Sequence, residues 1–133
     1  MTDRRLRGTV LVLSALGAAI AAYLTYTHVA DVPVSCVTGG CRAVQTSSYA
    51  ELGGVPVAAL GLVAYVAVGS TALFRSDVAL ALGSAAALAG FVFAAYLVYV
   101  QAAILDAYCQ WCLASDAVLL ALVPLTLLRL RRA

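Results

Sequence analysis

The sequence predicts an all-α membrane protein, a four-transmembrane-helix bundle with a short surface helix in the first outer loop. Of its 133 residues, 65% are hydrophobic and only 11% are charged, and the mean hydropathy is +1.03. A soluble domain is nearer half apolar and a quarter charged. A single transmembrane domain over residues 1–133 accounts for this length. The net charge of +2 sits in short loops and is no evidence for a nucleic-acid partner, and none is expected.

Four apolar runs predict the spans. Each is long enough to cross about 30 Å of hydrocarbon. They lie at about 9–29, 55–74, 78–105 and 108–128. For the first, a signal peptide is the alternative, because Ala19-Ile20-Ala21 resembles a cleavage site. The apolar run continues past that point, which favours a membrane anchor.

Turns of polar or helix-starting residues separate these spans. Gly53-Gly54 precedes Pro56, and proline suits the first turn of the second helix. Arg75-Ser76-Asp77 forms a tight hydrophilic turn before the third run, and Asp106-Ala107-Tyr108 forms a short turn before the fourth.

The segment from residue 30 to 54 is the only long polar one. It carries Cys36 and Cys41 with Gly39-Gly40 between them, and glycine allows the tight turn that lets the two sulfurs meet. Residues 44–52 predict a short helix lying along the membrane surface.

The arginines predict the orientation. With four spans, seven of the eight arginines share the side that holds both termini and the 75–77 turn, and Arg42 lies on the other. Because cytoplasmic loops are enriched in basic residues, both termini are expected in the cytoplasm. All four cysteines then lie on the outer face, where disulfide chemistry is supported.

Cys109 and Cys112 form a Cys-x-x-Cys pair at the start of the fourth run. The two residues lie one turn apart on a helix, with Cys112 about 4.5 Å deeper along its axis. Cys109 is expected near the helix N-terminus, which favours a thiolate, and at the water boundary. Half a zinc site and a structural disulfide are the alternatives.

Two cysteine pairs on one face indicate thiol–disulfide exchange. Cys36 and Cys41 on a mobile loop would carry electrons to the anchored pair, because exchange needs a thiolate to reach a disulfide sulfur. Static disulfides or a four-thiolate zinc site are the other interpretations, and no metal is predicted. A soft-metal transporter is a further alternative, although its cysteines would follow a path through the membrane.

Asp116 lies about two turns into the fourth span, on the same face as Cys109 and Cys112. Ionisable groups within a span are costly and usually functional. Asp116 is expected either to donate a hydrogen bond to a quinone carbonyl when protonated or to accept one from a hydroxyl group of a neighbouring helix. Trp111 is first an interfacial aromatic and second a possible wall of an aromatic ligand site.

These motifs together resemble the bacterial members of the vitamin K epoxide reductase family over residues 9–128. The matching pieces, in order, are Cys36, Gly40-Cys41, Val44, Ser47-Ser48-Tyr49-Ala50, Gly54-Val55-Pro56, Gly61 and Cys109-Gln110-Trp111-Cys112.

The resemblance implies a quinone-dependent oxidoreductase in a bacterial or archaeal cell membrane, in contact with lipid. Cys36 and Cys41 would be the shuttle pair, and Cys109 and Cys112 the active-site pair, with Cys112 next to the quinone. Cys41 would bond transiently to Cys109. Ser47 matches the serine or threonine above the active site.

The family also implies a partner, a thioredoxin-fold, DsbA-like thiol oxidase. Many homologues carry it as a fused domain, and here it is expected as a separate protein. Two departures put vitamin K epoxide reduction in doubt: Asp116 stands where the animal enzymes have tyrosine, and their second-span asparagine has no counterpart. A DsbB-like protein is disfavoured because its Cys-x-x-Cys comes in the first outer loop.

Overall fold

The computed structural model describes residues 2–30, 32, 40, 43–44 and 47–132. Within that part the chain is largely helical. Helix α1 is Asp3–Val29, α2 is Val57–Thr71, α3 is Asp77–Tyr99 and α4 is Gln110–Arg131. A π-helix, Val100–Leu105, continues α3, and a 3-10 turn, Ser48–Ala50, precedes a two-stranded hairpin of β1, Glu51–Leu52, and β2, Val55–Pro56.

The helices pack in a ring. Helix α1 contacts α2 and α4, and α3 contacts the same two helices from the other side. The core between them is apolar and includes several alanines. Its buried members include Val10, Tyr65, Val68, Ala87 and Leu122. Close approach of α1 to α2 depends on Gly17, because a Cβ there would overlap the ring of Tyr65.

Three helices, α1, α3 with its π-helical extension and α4, are long and apolar enough to cross a membrane. The protein is therefore a multi-pass membrane protein. Helix α2 has 15 residues, so it rises about 22 Å. Its role as a fourth span stays a prediction.

One end of the ring is held by arginines that contact main-chain carbonyls. Arg7 Nε donates to the Ala72 carbonyl at 3.0 Å, and Arg129 donates from an Nη to the Phe74 carbonyl at 3.3 Å. Arg75 lies 3.6 Å from the Asp3 carboxylate. The N-terminus, the turn before α3 and the C-terminus thus meet at one end, as four alternating helices require.

At the opposite end, Gly53 and Gly54 shape the hairpin. Both have positive φ, +62° and +85°, which is the backbone of the tight two-residue turns that connect antiparallel strands. The strands pair Glu51 with Pro56 and Leu52 with Val55. Pro56 is then the N-cap residue of α2, one position before the first turn in which the proline was predicted.

The surface helix predicted over residues 44–52 is wrong in its second half. Residues 48–50 form a single 3-10 turn, and Glu51 and Leu52 form a strand instead. The glycine pair draws these two residues into the hairpin, because backbone pairing across a tight turn satisfies donors that a helix end would leave open. Residues 45 and 46 lie outside the described part.

Candidate functional site

A cavity of about 440 Å³ lies between the helices at the end that carries the Cys-x-x-Cys pair. Its wall is largely alanine, leucine, valine and glycine, interrupted by a few polar side chains. The polar or sulfur-bearing wall residues are Ser47, Tyr49, Tyr65, Gln101, Cys112, Ser115 and Asp116. An apolar space of this size with a few convergent polar groups is typical of a small-molecule site.

Cys109 begins α4 as its N-cap residue, as predicted from its position. Its extended backbone, φ −104° and ψ 112°, turns Sγ toward the first helical turn, where it accepts a hydrogen bond from the Cys112 amide at 3.3 Å. Side-chain acceptors at the N-cap stabilise a helix because the first amides have no carbonyl partner. The same amide favours negative charge on the sulfur.

The expectation that Cys109 faces water is wrong for this conformation, since the residue is 0% exposed. It packs in a cluster with Ile20 and Leu24 of α1, and partly buried Val44 lies against the same cluster. Apolar side chains of α1, together with Val44, therefore cover Cys109. Cys112, by contrast, is partly buried and lines the cavity, which agrees with its predicted apolar side.

Gly40 lies directly against the residue before Cys109. A Cβ on Gly40 would come within 2.6 Å of both the nitrogen and the oxygen of the Tyr108 backbone. The Gly40 carbonyl also accepts from the Val44 amide at 3.1 Å. Gly40 thus lies at the mouth of α4. Cys36 and Cys41 themselves lie outside the described residues.

Asp116 lines the cavity one turn below Cys112, as the helical spacing predicted. Its Oδ2 is buried and has no hydrogen-bond partner among the described residues. A buried carboxyl oxygen without a partner is costly, and within the described part of the chain Oδ2 does not receive the hydroxyl group that was one of the two interpretations of Asp116. The hydroxyl of Tyr65 instead reaches the neighbouring Ser115, at 2.6 Å from its carbonyl and 2.7 Å from its Oγ.

The remaining predicted residues fall into two groups. Ser47 lines the cavity, and its Oγ donates to the Val44 carbonyl at 2.7 Å. Trp111 packs on Tyr23 of α1, with ring centroids 5.1 Å apart, beside the cluster around Cys109. Trp111 therefore supports the cysteine turn from the α1 side, whereas the cavity wall on α4 is made by Cys112, Ser115 and Asp116.

Three site residues escaped the sequence reasoning: Tyr65, Gln101 and Ser115. Gln101 is 2% exposed, and its Oε1 accepts from the Cys109 amide at 2.8 Å. The available signal was a glutamine near the end of a long uncharged run, eight residues before the first cysteine of the Cys-x-x-Cys pair. Tyr65 had a weaker signal, a tyrosine in the middle of an apolar helix.

Among the residues that the structure describes, no group of three or more histidine, cysteine or acidic side chains is arranged for a metal.

A cysteine pair at the edge of an apolar cavity in a helical membrane protein is an arrangement suited to thiol redox chemistry. A model of the vitamin K epoxide reductase family matches residues 9–127. The chain belongs to this family, as the cysteine motifs predicted, and it is accordingly an oxidoreductase of that type. Enzymes of the family use quinones.

Proposed function

We propose that this protein is a quinone-dependent thiol–disulfide oxidoreductase that supports disulfide formation. It would oxidise a thioredoxin-fold, DsbA-like dithiol and pass two electrons to a membrane quinone. The observation that carries this proposal is the division of the Cys-x-x-Cys pair between two environments. Cys112 lines the apolar cavity, and Cys109 lies on the side that Gly40 and Val44 approach.

The cavity suits a quinone head group. Its volume of about 440 Å³ is in the range of small-molecule sites, and its wall is mostly apolar. The unpartnered Oδ2 of Asp116 and the hydroxyls of Ser47 and Tyr65 are the polar groups at hand. When bound, a quinone supplies a two-electron, two-proton acceptor.

The electron path runs through two exchanges. The partner's dithiol reduces the Cys36–Cys41 disulfide and is itself oxidised. The Cys41 thiolate then attacks Cys109 Sγ, which breaks the Cys109–Cys112 bond and leaves Cys112 as a thiolate. Cys36 attacks Cys41, restores the Cys36–Cys41 disulfide and releases Cys109. The Cys109–Cys112 dithiol finally gives up two electrons and two protons and closes again into a disulfide.

The neighbours of the pair support these roles. The hydrogen bond from the Cys112 amide to Cys109 Sγ stabilises that sulfur as a leaving thiolate when Cys36 resolves the mixed disulfide. Asp116 holds a proton at the cavity wall and donates it to a ligand oxygen. Ser47 contributes a hydroxyl from above, and Trp111 keeps the cysteine turn against α1 through Tyr23.

The proposed orientation has both termini in the cytoplasm and all four cysteines on the outer face of a bacterial or archaeal membrane. The meeting of Arg7, Arg75 and Arg129 at the end opposite the cysteines supports it, because arginine-rich ends stay in the cytoplasm. The thiol partner is then extracytoplasmic.

The test uses the full chain purified in detergent with a short-chain quinone and a reduced thioredoxin-fold dithiol. Quinone absorbance is followed for the wild type and for single alanine variants of Cys36, Cys41, Cys109 and Cys112. The expected result is quinone loss in the wild type and its abolition in Cys109→Ala and Cys112→Ala.

Dithiothreitol replaces the protein dithiol in a second series. Because it can reduce the inner pair directly, Cys36→Ala and Cys41→Ala are expected to recover quinone reduction with this small reductant. Quinone loss in Cys112→Ala equal to the wild type would refute the assigned donor. No quinone loss, with stoichiometric zinc or copper on the purified wild type, would favour the alternative of a soft-metal membrane protein.

A further inference from the structure

Gln101 holds the turn that delivers Cys109 to the head of α4. Its main-chain carbonyl accepts from the amide of Asp106 and from that of Ala107, the latter at 3.1 Å. Its side-chain Oε1 accepts from the Cys109 amide at 2.8 Å. One residue, 2% exposed, therefore binds three of the four amides between the π-helix and α4.

This arrangement depends on two uncommon backbone features. Residues 100–105 form a π-helix, and π-turns inside helices are rare and concentrate at functional sites. Asp106 follows in the left-handed region with φ 48°, which is disfavoured for residues other than glycine. The wider turn and the reversal after it bring the Gln101 side chain beneath the Cys109 amide.

The consequence falls on the sulfur of Cys109. With its amide held by Gln101, Cys109 adopts the extended N-cap conformation, and its Sγ accepts from the Cys112 amide at 3.3 Å. An amide donor to a cysteine sulfur stabilises the thiolate. A stabilised thiolate makes the corresponding disulfide more oxidising, because the reduced pair is favoured.

We infer that Gln101 is a positioning residue for the Cys109–Cys112 pair. It shifts the dithiol–disulfide equilibrium of the pair by fixing the turn that sets Cys109 Sγ against the Cys112 amide. It acts through the backbone of Cys109 and not by touching the sulfur. The inference rests on the proposed function only in taking this pair as redox-active.

The experiment measures the dithiol–disulfide equilibrium of the pair in full-length protein in detergent, with Cys36 and Cys41 replaced by serine. The protein is equilibrated in glutathione buffers, and the oxidised fraction is read by alkylation and mass spectrometry. Gln101→Met keeps the length of the side chain and removes the oxygen. Ile104→Met, on the same π-helix and 49% exposed, is the matched control.

Gln101→Met is expected to favour the disulfide about fivefold relative to the parent, which is the size of one ordinary hydrogen bond, while Ile104→Met leaves the equilibrium unchanged. Hydrogen exchange at the Cys109 amide gives a second readout. It is expected to accelerate about tenfold in Gln101→Met and to stay slow in Gln101→Glu, which keeps an oxygen at the same reach.

An equilibrium and an exchange rate in Gln101→Met equal to the parent would overturn the inference, as would an equal shift in Ile104→Met. If Gln101→Met does not fold, Gln101→Asn, one methylene shorter, is measured for the same shift. If the wild type reduces no quinone but Gln101→Met shifts the dithiol–disulfide equilibrium, the proposed function is refuted and the positioning role is supported. If the wild type reduces quinone but Gln101→Met leaves the equilibrium unchanged, the positioning role is refuted and the proposed function is supported.

Discussion

Gly40 packs against the main chain of Tyr108 so closely that no side chain fits between them. Gly40 comes one residue before Cys41, and Tyr108 comes one residue before Cys109. The contact joins the outer segment to the mouth of α4 at the point where the two proposed exchange partners follow in sequence. It is the described contact that most directly supports transfer between the two cysteine pairs.

Gly40→Ala is expected to slow electron transfer from the thiol partner by at least about tenfold, because a Cβ would meet the Tyr108 backbone at 2.6 Å and such overpacking commonly costs about 1–3 kcal/mol. Reduction of quinone by dithiothreitol, which bypasses the outer pair, is expected to persist. Stopped-flow quinone absorbance measures both rates. Val32→Ala, in the same segment and 40% exposed, is the control and should match the wild type. Equal slowing with both reductants would contradict this interpretation.

The double variant Cys36→Ala, Cys112→Ala is expected to accumulate a Cys41–Cys109 disulfide under mild oxidation, since neither resolving thiol is left to break it. Peptide mapping under non-reducing conditions identifies the linked peptides. The matched variant Cys41→Ala, Cys112→Ala leaves Cys36 and Cys109 as its two cysteines. A Cys36–Cys109 disulfide that formed there as readily would contradict the assignment of Cys41 as the cysteine that bonds Cys109.

Asp116→Asn is expected to lower the rate of quinone reduction about a hundredfold, because the amide keeps the size of the side chain and cannot donate a carboxyl proton. Asp77→Asn makes the same chemical change at an exposed position at the start of α3 and is expected to be silent. Steady-state rates over a range of quinone concentrations separate kcat from KM. A change confined to KM would assign Asp116 to binding alone.

Asp116→Leu is expected to raise the thermal unfolding midpoint while abolishing activity. The wild-type carboxyl is buried at Oδ2 without a partner among the residues described, and removing such a group stabilises the fold when it serves function. Thermal unfolding in detergent by circular dichroism measures the shift. A lower midpoint would indicate that Asp116 makes a stabilising contact.

Gly17→Ala is expected to destabilise the protein by about 1–3 kcal/mol, because its Cβ would occupy the space of the Tyr65 ring. The displaced ring would also disturb the hydroxyl contact with Ser115. Gly8→Ala, on the same helix with nothing within 4 Å of the added Cβ, is expected to be neutral or slightly stabilising, as alanine is the better helix former. Denaturation in detergent and urea compares the two, and equal effects would remove Tyr65 from the explanation.

The helices and the Cys-x-x-Cys geometry were predictable because they depend on local rules. Uncharged runs give spans, and residues at i, i+3 and i+7 share a helix face, so Cys109, Cys112 and Asp116 came out on one side of α4. The place of Cys109 near the N-terminus of α4 followed from its being the first cysteine of the pair at the start of that run.

The tertiary neighbours were not predictable in the same way. Whether Cys109 meets water depends on how Val44 and α1 cover it, which no spacing within α4 reveals. The strand at Glu51 and Leu52 depended on pairing across two glycines with positive φ. Gln101 needed a π-helix to reach Cys109, and sequence periodicity does not distinguish such a turn from an ordinary one.

The contact between His28 and Glu51 bears on how often the outer cysteines meet the inner pair. His28 Nε2 lies 2.8 Å from Glu51 Oε1, and the two residues are 23 positions apart. This contact holds together the two ends of the segment that carries Cys36 and Cys41. The entropic cost of bringing those ends together is therefore already included in the folding of the protein. In the proposed mechanism, exchange between the pairs is intramolecular, at an effective concentration on the order of millimolar. In that mechanism, only the encounter with the proposed thiol partner depends on the partner's concentration.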